Sequence, residues 1–208
     1  MPAQRRKPNP AQWGKPEPAT RGKTMPAKPP ETFGLDRLAT PIGVALLVTD
    51  AQGVLRALDW EDYAPRMKEL LRLHYGAVVL REARAPKDMR SALSAYFKGD
   101  LDCLHTIEWR VAGTPFQHKV WHALANIPAG TTMSYGALAR KLGAPNAMRA
   151  VGHANGSNPI SVVVPCHRLI GANGSLIKYG GGLSRKKWLL EHEGVVLKPA
   201  SARGRVAA

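Results

Sequence analysis

The residues best suited to covalent chemistry sit in one tetrapeptide, Pro165-Cys166-His167-Arg168. A cysteine thiolate is a strong nucleophile, and His167 and Arg168 are neighbours able to carry the positive charge that favours it. Pro165 restricts the backbone just ahead of the thiol, and the apolar, β-prone run Ile160 to Val164 comes before it. This pattern predicts a sulfur held still at the end of a strand. Successive side chains on extended backbone point to opposite faces, so His167 need not touch Cys166, and a water or a third group is left to complete a proton relay. The alternative for a cysteine beside an apolar run is burial as a small hydrophobe. Cys103 and Cys166 are the only cysteines, which excludes a disulfide framework and a four-cysteine zinc site. Cys103 with His105, and His74 distant, supplies too few ligands, so no metal is expected and Cys103 is assigned a structural role.

The elements that must position this tetrapeptide follow from the surrounding patterns. Gly113-Thr114-Pro115-Phe116-Gln117 carries a Thr cap, Pro at the first helical position and Gln three residues after the cap, which predicts a helix with Phe116, Val120, Leu124 and Ile127 as its buried stripe and Pro128 as its end. Ser134 caps a second helix from Tyr135 to Leu142, stopped by Gly143. Asn146 is the predicted cap of a third, running to about Asn155. Two short helices across a short Gly-containing turn fit a helix-turn-helix. The last helix carries Ala147, Ala150, Gly152, Ala154 and Gly156, with Arg149 and His153 four apart on one side. Such small residues let a backbone approach another surface closely, either inside the protein or outside it.

Before residue 110 the pattern is that of a small α/β unit. Val44 to Val48 and Val54 to Trp60 are β-prone runs separated by a hairpin-like break, Thr49-Asp50-Ala51-Gln52-Gly53, and order is expected to begin near Pro41. Met67, Leu70, Leu71 and His74 recur at helical spacing. A further helix over about Lys87 to Phe97 has Met89, Leu93 and Phe97 on one stripe and Gly99 as its stop. The expected fold class is α/β, or more closely α+β: a supporting α/β domain over residues 31–109 and a mainly helical domain over 110–197 that holds the helix-turn-helix and the cysteine.

The charge divides along the same lines. The 208-residue chain holds 30 Lys and Arg against 15 Asp and Glu, a net +15. Residues 1–30 carry +6 and eight of the 17 prolines, and read as a disordered basic tail; residues 31–109 carry −2, residues 110–197 carry +8, and the basic C-terminus, 198–208, carries +3. A basic half joined to a mildly acidic one suggests a polyanion-binding half on a support, the alternative being charge that only solubilises. The uncharged runs fall short of the roughly 20 apolar residues of a membrane span, and no apolar stretch follows Arg5, Arg6 and Lys7 to make a secretory signal. An intracellular, cytoplasmic protein without a membrane partner is expected.

The ordered set Gly113-Thr-Pro-Phe-Gln, Ile127-Pro128, Ser134-Tyr135-Gly136, Arg149-Ala-Val-Gly152, Ala154-Asn155-Gly156, Asn158-Pro159, Val164-Pro-Cys-His-Arg168, Tyr179-Gly-Gly-Gly-Leu183 and Trp188-Leu-Leu-Glu-His-Glu-Gly194 closely resembles the methylated-DNA–protein-cysteine methyltransferases, which repair 6-O-alkylguanine. The resemblance is near-continuous from about residue 113 to 194 and looser before 110, where it rests on Thr40-Pro-Ile-Gly43, the two strands and Ala95-Tyr-Phe97. It implies that Cys166 is the nucleophile and alkyl acceptor, that His167 and Glu193 form a water-linked relay that deprotonates it, and that Asn158 braces the site. It implies that Tyr135 donates to the guanine ring nitrogen, that backbone groups of Cys166 and Leu169 read the exocyclic amine, and that Tyr179 and Gly180 complete the base pocket. The target base must leave the duplex; by the same resemblance Arg149 fills its place in the stack, and Tyr135, Ala150, Gly152 and Asn155 belong to a DNA-binding surface that enters the minor groove.

A thioether is a poor leaving group, so the resemblance implies one repair event per protein, with no cofactor, on double-stranded DNA and by a monomer. The sequence departs from the family at position 180, Gly where many members have Ser, and at 161, Ser where some have a pocket Pro; these bear on the range of accepted alkyl groups and on 4-O-methylthymine. The five tryptophans are assigned to packing, apart from Trp13 in the tail. Two other classes compete: a DNA-binding protein without transfer activity, and a Cys/His hydrolase. The first does not need Cys166, and the second leaves the basic half unexplained.

Overall fold

The computed structural model describes residues 30–197. The expected tail and C-terminus, with Trp13, lie outside the described residues. The chain is a mixed α/β fold. A four-stranded sheet is built from β1 (Glu31–Thr40), β2 (Gly43–Thr49), β3 (Leu55–Trp60) and β4 (Val78–Glu82), in the order β3-β2-β1-β4. β1 and β3 run antiparallel to β2, and β4 runs parallel to β1. Helix α1 (Ala64–Tyr75) crosses over from β3 to β4, and α2 (Lys87–Phe97) follows.

The run Val44 to Val48 is apolar throughout because β2 is central and buried on both faces. Leu46 and Val48 face a small cluster with Phe33, Ala57, Met67 and Leu71, under α1. Ala45 and Leu47 point the other way, into a large core shared with α2 and with the C-terminal half. At the hairpin break, Asp50 Oδ1 accepts from the amides of Gln52 (3.0 Å) and Val54 (2.9 Å), and Gly53 takes a φ of +80°. Asp supplies a local acceptor there and Gly the left-handed backbone.

Order begins ten residues earlier than the β-propensity of the sequence indicates. Strand β1 reads Glu-Thr-Phe-Gly-Leu-Asp-Arg-Leu-Ala-Thr, with charges that discourage a strand assignment, yet it pairs with β2 and β4 on its two edges. Its Asp36 and Arg37 are matched by Arg90 and Glu82 rather than left facing the sheet. On α2 the third buried residue is Tyr96, and Phe97 is only half-buried.

The C-terminal half contains α3 (Pro115–Ala125), α4 (Tyr135–Lys141), α5 (Met148–Gly156) and α6 (Leu183–His192), with a two-residue parallel pairing of β5 (Met133–Ser134) and β6 (Leu169–Ile170). The capping box of α3 forms as expected: Gln117 N–H donates to Thr114 Oγ1 at 3.2 Å and Thr114 N–H donates to Gln117 Oε1 at 2.8 Å. Its buried face is Val120, Trp121 and Leu124, with Phe116 only half-buried and Ile127 packed beyond the helix end. Ser134 caps α4 through the amide of Ala137. Asn146 does not cap α5; Ala147 occupies that position without a side-chain bond.

The halves meet along β3. Leu58 N–H donates to Pro159 O at 2.9 Å and Ser161 N–H donates to Leu58 O at 2.8 Å, so the free edge of the sheet takes hold of the segment that leads to Cys166. Beyond that single bridge the run Ile160 to Val164 is a buried turn and not the expected strand. The physical reason is Asn158: its side-chain amide donates to Ile160 O (3.1 Å) and Val164 O (2.9 Å) and accepts from Ile160 N–H (3.0 Å), taking backbone groups a ladder would have used. Val162 adopts a φ of +69°, a conformation that strains a β-branched residue and that the surrounding packing imposes.

Candidate active site

Pro165 leads into a single 3-10 turn, Cys166–Arg168, in which all three residues are buried. A turn replaces the extended chain expected there, so the side chains of Cys166, His167 and Arg168 fan out around it. Cys166 is 3% exposed. Burial pushes its thiol pKa up, while the Asn158 amide and the charges of Arg66 and Lys186 act in the opposite direction. The cations that act on the sulfur are therefore Arg66 and Lys186. Arg168, expected to serve from the adjacent position, is turned away: its Nε donates to Glu193 Oε2 and one terminal nitrogen to Glu193 Oε1, both at 2.8 Å, and the other reaches Ile127 O.

Glu193, one residue past the end of α6, is the anionic centre of the site. Besides Arg168 it takes the hydroxyl of Tyr96 at 2.7 Å and pairs with His167 Nε2 at 2.9 Å, both on Oε1. Burial opposes its ionisation, but the bonds from His167 and Arg168 outweigh that and hold the carboxyl well below the usual range. His167 is fully buried; burial lowers its pKa more than Glu193 restores it, so the imidazole is neutral near pH 7. With Nε2–H directed at a carboxylate, the tautomer leaves Nδ1 as a lone-pair acceptor, and Nδ1 has no partner among the described side chains. That atom can accept a proton.

Around the thiol, Asn158 ties the backbone of Ile160 and Val164 as described. Tyr179 is buried with its ring edge-on to His167 at 6.4 Å between centroids, and Tyr135 is close enough for Cys166 to raise its pKa in addition to the effect of burial. Leu169 is fully buried and its carbonyl accepts from Lys186 Nζ at 2.5 Å, while the Cys166 carbonyl accepts from Leu169 N–H; each oxygen keeps a second lone pair. Lys186 also donates to Ile177 O at 2.9 Å, and burial lowers its pKa to about 8. Gly180 follows Tyr179 in a loop that closes against the N-terminal half.

Helices α4 and α5 form the expected pair. Arg149, Ala150 and Met148 are exposed on α5, and the Cα of Gly152 faces the Tyr135 ring, which a Cβ would meet at 3.9 Å. Asn155 differs from expectation: it is 5% exposed and packs inward with Val151 and Ala154, so it does not share the outer face with Arg149. The sequence had assigned no role at the site to Tyr96, Arg66 or Lys186. Tyr96 and Arg66 lie in the half assigned to support, and Lys186 sits in a run of basic residues that looks solvated. Among the described residues no group of three or more His, Cys, Asp or Glu could hold a metal, and no helix is long and apolar enough to cross a membrane.

A sequestered thiol, followed in the chain by a neutral imidazole on a carboxylate and accompanied by an exposed helix-turn-helix, fits a thiol group-transfer protein with a docking helix. Residues 115–195 match the family model for the 6-O-methylguanine DNA methyltransferase DNA-binding domain. The methylated-DNA–protein-cysteine methyltransferase of Salmonella typhimurium is 51% identical over 164 residues, spanning 78% of this chain and 96% of that protein. A Mycobacterium tuberculosis OGT structure in complex with DNA shares 42% identity with a TM-score of 0.66, over 77% of this chain and 93% of that one. The O6-methylguanine-DNA methyltransferase of Pyrococcus kodakaraensis shares 27% identity with a TM-score of 0.63, over 78% of this chain and 99% of that one. The chain belongs to the methylated-DNA–protein-cysteine methyltransferase family.

Proposed function

We propose that this protein repairs duplex DNA by moving the alkyl group of 6-O-alkylguanine onto Cys166, once per protein molecule. The observation that carries this is the Cys166, His167 and Glu193 set: a buried thiol and, next to it, an imidazole whose tautomer is fixed with Nδ1 free to take a proton. Burial keeps the resting thiol protonated, so the nucleophile is generated at the moment of reaction. The thiol proton passes by way of a water to His167, whose growing charge Glu193 stabilises. The thiolate attacks the alkyl carbon from behind the carbon–oxygen bond, a carbon–sulfur bond forms, and the bonding electrons leave with the guanine oxygen. Tyr135 donates toward a ring nitrogen of the departing base, and the second lone pairs on the Cys166 and Leu169 carbonyls accept from its exocyclic amine. Tyr179 and Gly180 line the pocket.

To reach Cys166, the base leaves the stack, at a cost of a few kcal/mol. Arg149, exposed on α5, fills the gap, with Ala150 and Gly152 allowing a close approach to the minor groove. The same alkyl–oxygen bond in 4-O-methylthymine makes it a second candidate substrate. The protein acts as an intracellular monomer on DNA. The test is incubation of the reduced, full-length chain with duplex DNA carrying labelled 6-O-methylguanine, followed by mapping of the label. One label per protein on Cys166 is expected. No transfer, or many turnovers per protein, overturns the reading.

A further inference from the structure

Three consecutive glycines, Gly180, Gly181 and Gly182, lie against three residues spaced by threes in the N-terminal half. A Cβ on Gly180 would stand 2.5 Å from the Arg66 guanidinium carbon, one on Gly181 would strike the Trp60 indole, and one on Gly182 would stand 2.9 Å from the Tyr63 hydroxyl. Trp60 closes β3, and Tyr63 and Arg66 sit in the turn and first helical turn that follow. The pocket loop is thus seated on a surface the other half of the chain provides, with the Arg66 guanidinium where a side chain at position 180 would be.

Arg66 holds more than the loop. Its head makes three polar contacts: to Asp59 Oδ2 at 2.5 Å, to Gly156 O at 2.9 Å and to Asn158 O at 3.1 Å. Asp59 is fully buried and anchors the guanidinium from the end of β3. Gly156 is the last residue of α5, so Arg66 takes a carbonyl that the helix end leaves open and places a cation there. Asn158 braces the turn that carries Cys166. One planar head therefore joins the end of the docking helix, the brace under the nucleophile and the loop after Tyr179. A lysine has neither the fork nor the reach to hold three acceptors at once.

We infer that Arg66 is a positioning residue for alkyl transfer, aligning the Tyr179–Gly182 loop and the Gly156–Asn158 turn on either side of Cys166 and lending positive charge to the thiolate. This rests on the alkyl-transfer reading for the reaction, but not for the effect on the thiol. The groups bearing on Cys166 are Arg66 and Lys186 as cations, Asp59 as anion, and Tyr135 and Tyr179 as neutral titratable groups, with His167 adjacent in the chain. Arg66 is the one among them supplied by a helix of the N-terminal half.

The experiment uses the full chain and its Arg66→Ala, Arg66→Lys and Gly180→Ala variants. The pH dependence of Cys166 labelling by iodoacetamide, mapped by mass spectrometry, reads the thiol without any DNA substrate. Rates of alkyl transfer from methylated duplex and from free 6-O-benzylguanine read the reaction. Arg66→Ala is expected to move the labelling midpoint upward and to slow transfer near pH 7.5 by roughly tenfold for each pH unit the midpoint moves, with the gap closing at high pH and narrowing when guanidinium ion is added. Arg66→Lys is expected to keep a near-normal midpoint and lose transfer from duplex. A folded Arg66→Ala protein with a wild-type midpoint overturns the proposal, whatever its transfer rate. Should that variant not fold, Gly180→Ala displaces the guanidinium with the arginine intact, and an unmoved midpoint there overturns it equally. If the wild type does not transfer alkyl groups at all, the functional reading fails while the labelling midpoints still report on Arg66.

Discussion

The hydroxyl of Tyr96, on α2, donates to Oε1 of Glu193 at 2.7 Å across 97 positions of sequence. The buried carboxylate is thus fixed from the N-terminal half as well as by its own neighbours. A hydrogen bond to a charged group contributes about 1.5–3 kcal/mol, and Tyr96→Phe removes it while keeping the ring packing. The expected result is a drop in stability of about that size by denaturant titration, together with a severalfold slower transfer because Glu193 is less firmly aimed at His167. Unchanged stability and rate in this variant would show the contact to be idle.

Glu193→Gln tests the relay itself. The substitution keeps the volume but removes the counter-charge of buried Arg168, and breaking one side of a buried pair costs about 3–5 kcal/mol. It also offers His167 an amide in place of a carboxylate, so the imidazole no longer has a fixed tautomer. Loss of general base assistance slows reactions by about 10²–10⁴-fold, and single-turnover kinetics on methylated duplex should fall within that range. A folded variant with a wild-type single-turnover rate would remove Glu193 from the mechanism.

The pH dependence of stability has a defined sign. Burial, partly offset by Glu193, lowers the folded pKa of His167 below its ordinary 6.5, so below that pH the unfolded chain takes up a proton that the folded chain does not. Stability is then complete above pH 6.5 and is lost as pH falls. His74 is lowered by burial in the same direction. Glu193, ordinarily near 4.5 and held lower in the fold, adds a second loss as pH falls below that value. The melting temperature should descend in two stages as pH falls below neutrality, and His167→Asn should reduce the slope of the first. An identical slope in that variant would assign the first stage elsewhere.

What the sequence disclosed, and what it hid, follow from the range of the interactions concerned. The α3 capping box, the Ser134 cap and the α1 periodicity are local, and each appears in the structure at the expected residues. The candidate nucleophile was legible because Pro165 to Arg168 is a contiguous motif. Strand β1 was hidden because its pattern is polar and its order comes from pairing on both edges. The Ile160 to Val164 run misled because the amide of Asn158 captures its backbone, a side-chain effect that propensity does not express. Arg168 looked like the partner of Cys166 by adjacency, yet it is committed to Glu193, and the cations whose charge favours the thiolate, Arg66 and Lys186, come from other elements 100 and 20 positions away.

Arg149 gives the cleanest separation of docking from chemistry. It is exposed on α5, and no salt bridge or side-chain hydrogen bond is found for it among the described residues, so Arg149→Ala should leave the fold and the Cys166 environment intact. If its role is to occupy the space of an extruded base, the variant forfeits part of the few kcal/mol that extrusion requires, equivalent to a loss of about ten- to a hundredfold on duplex substrate. A free alkylated base needs no extrusion, so transfer from 6-O-benzylguanine should be unchanged. Single-stranded alkylated DNA should fall between the two. Equal losses on free base and duplex would contradict this role and place the defect at the pocket instead.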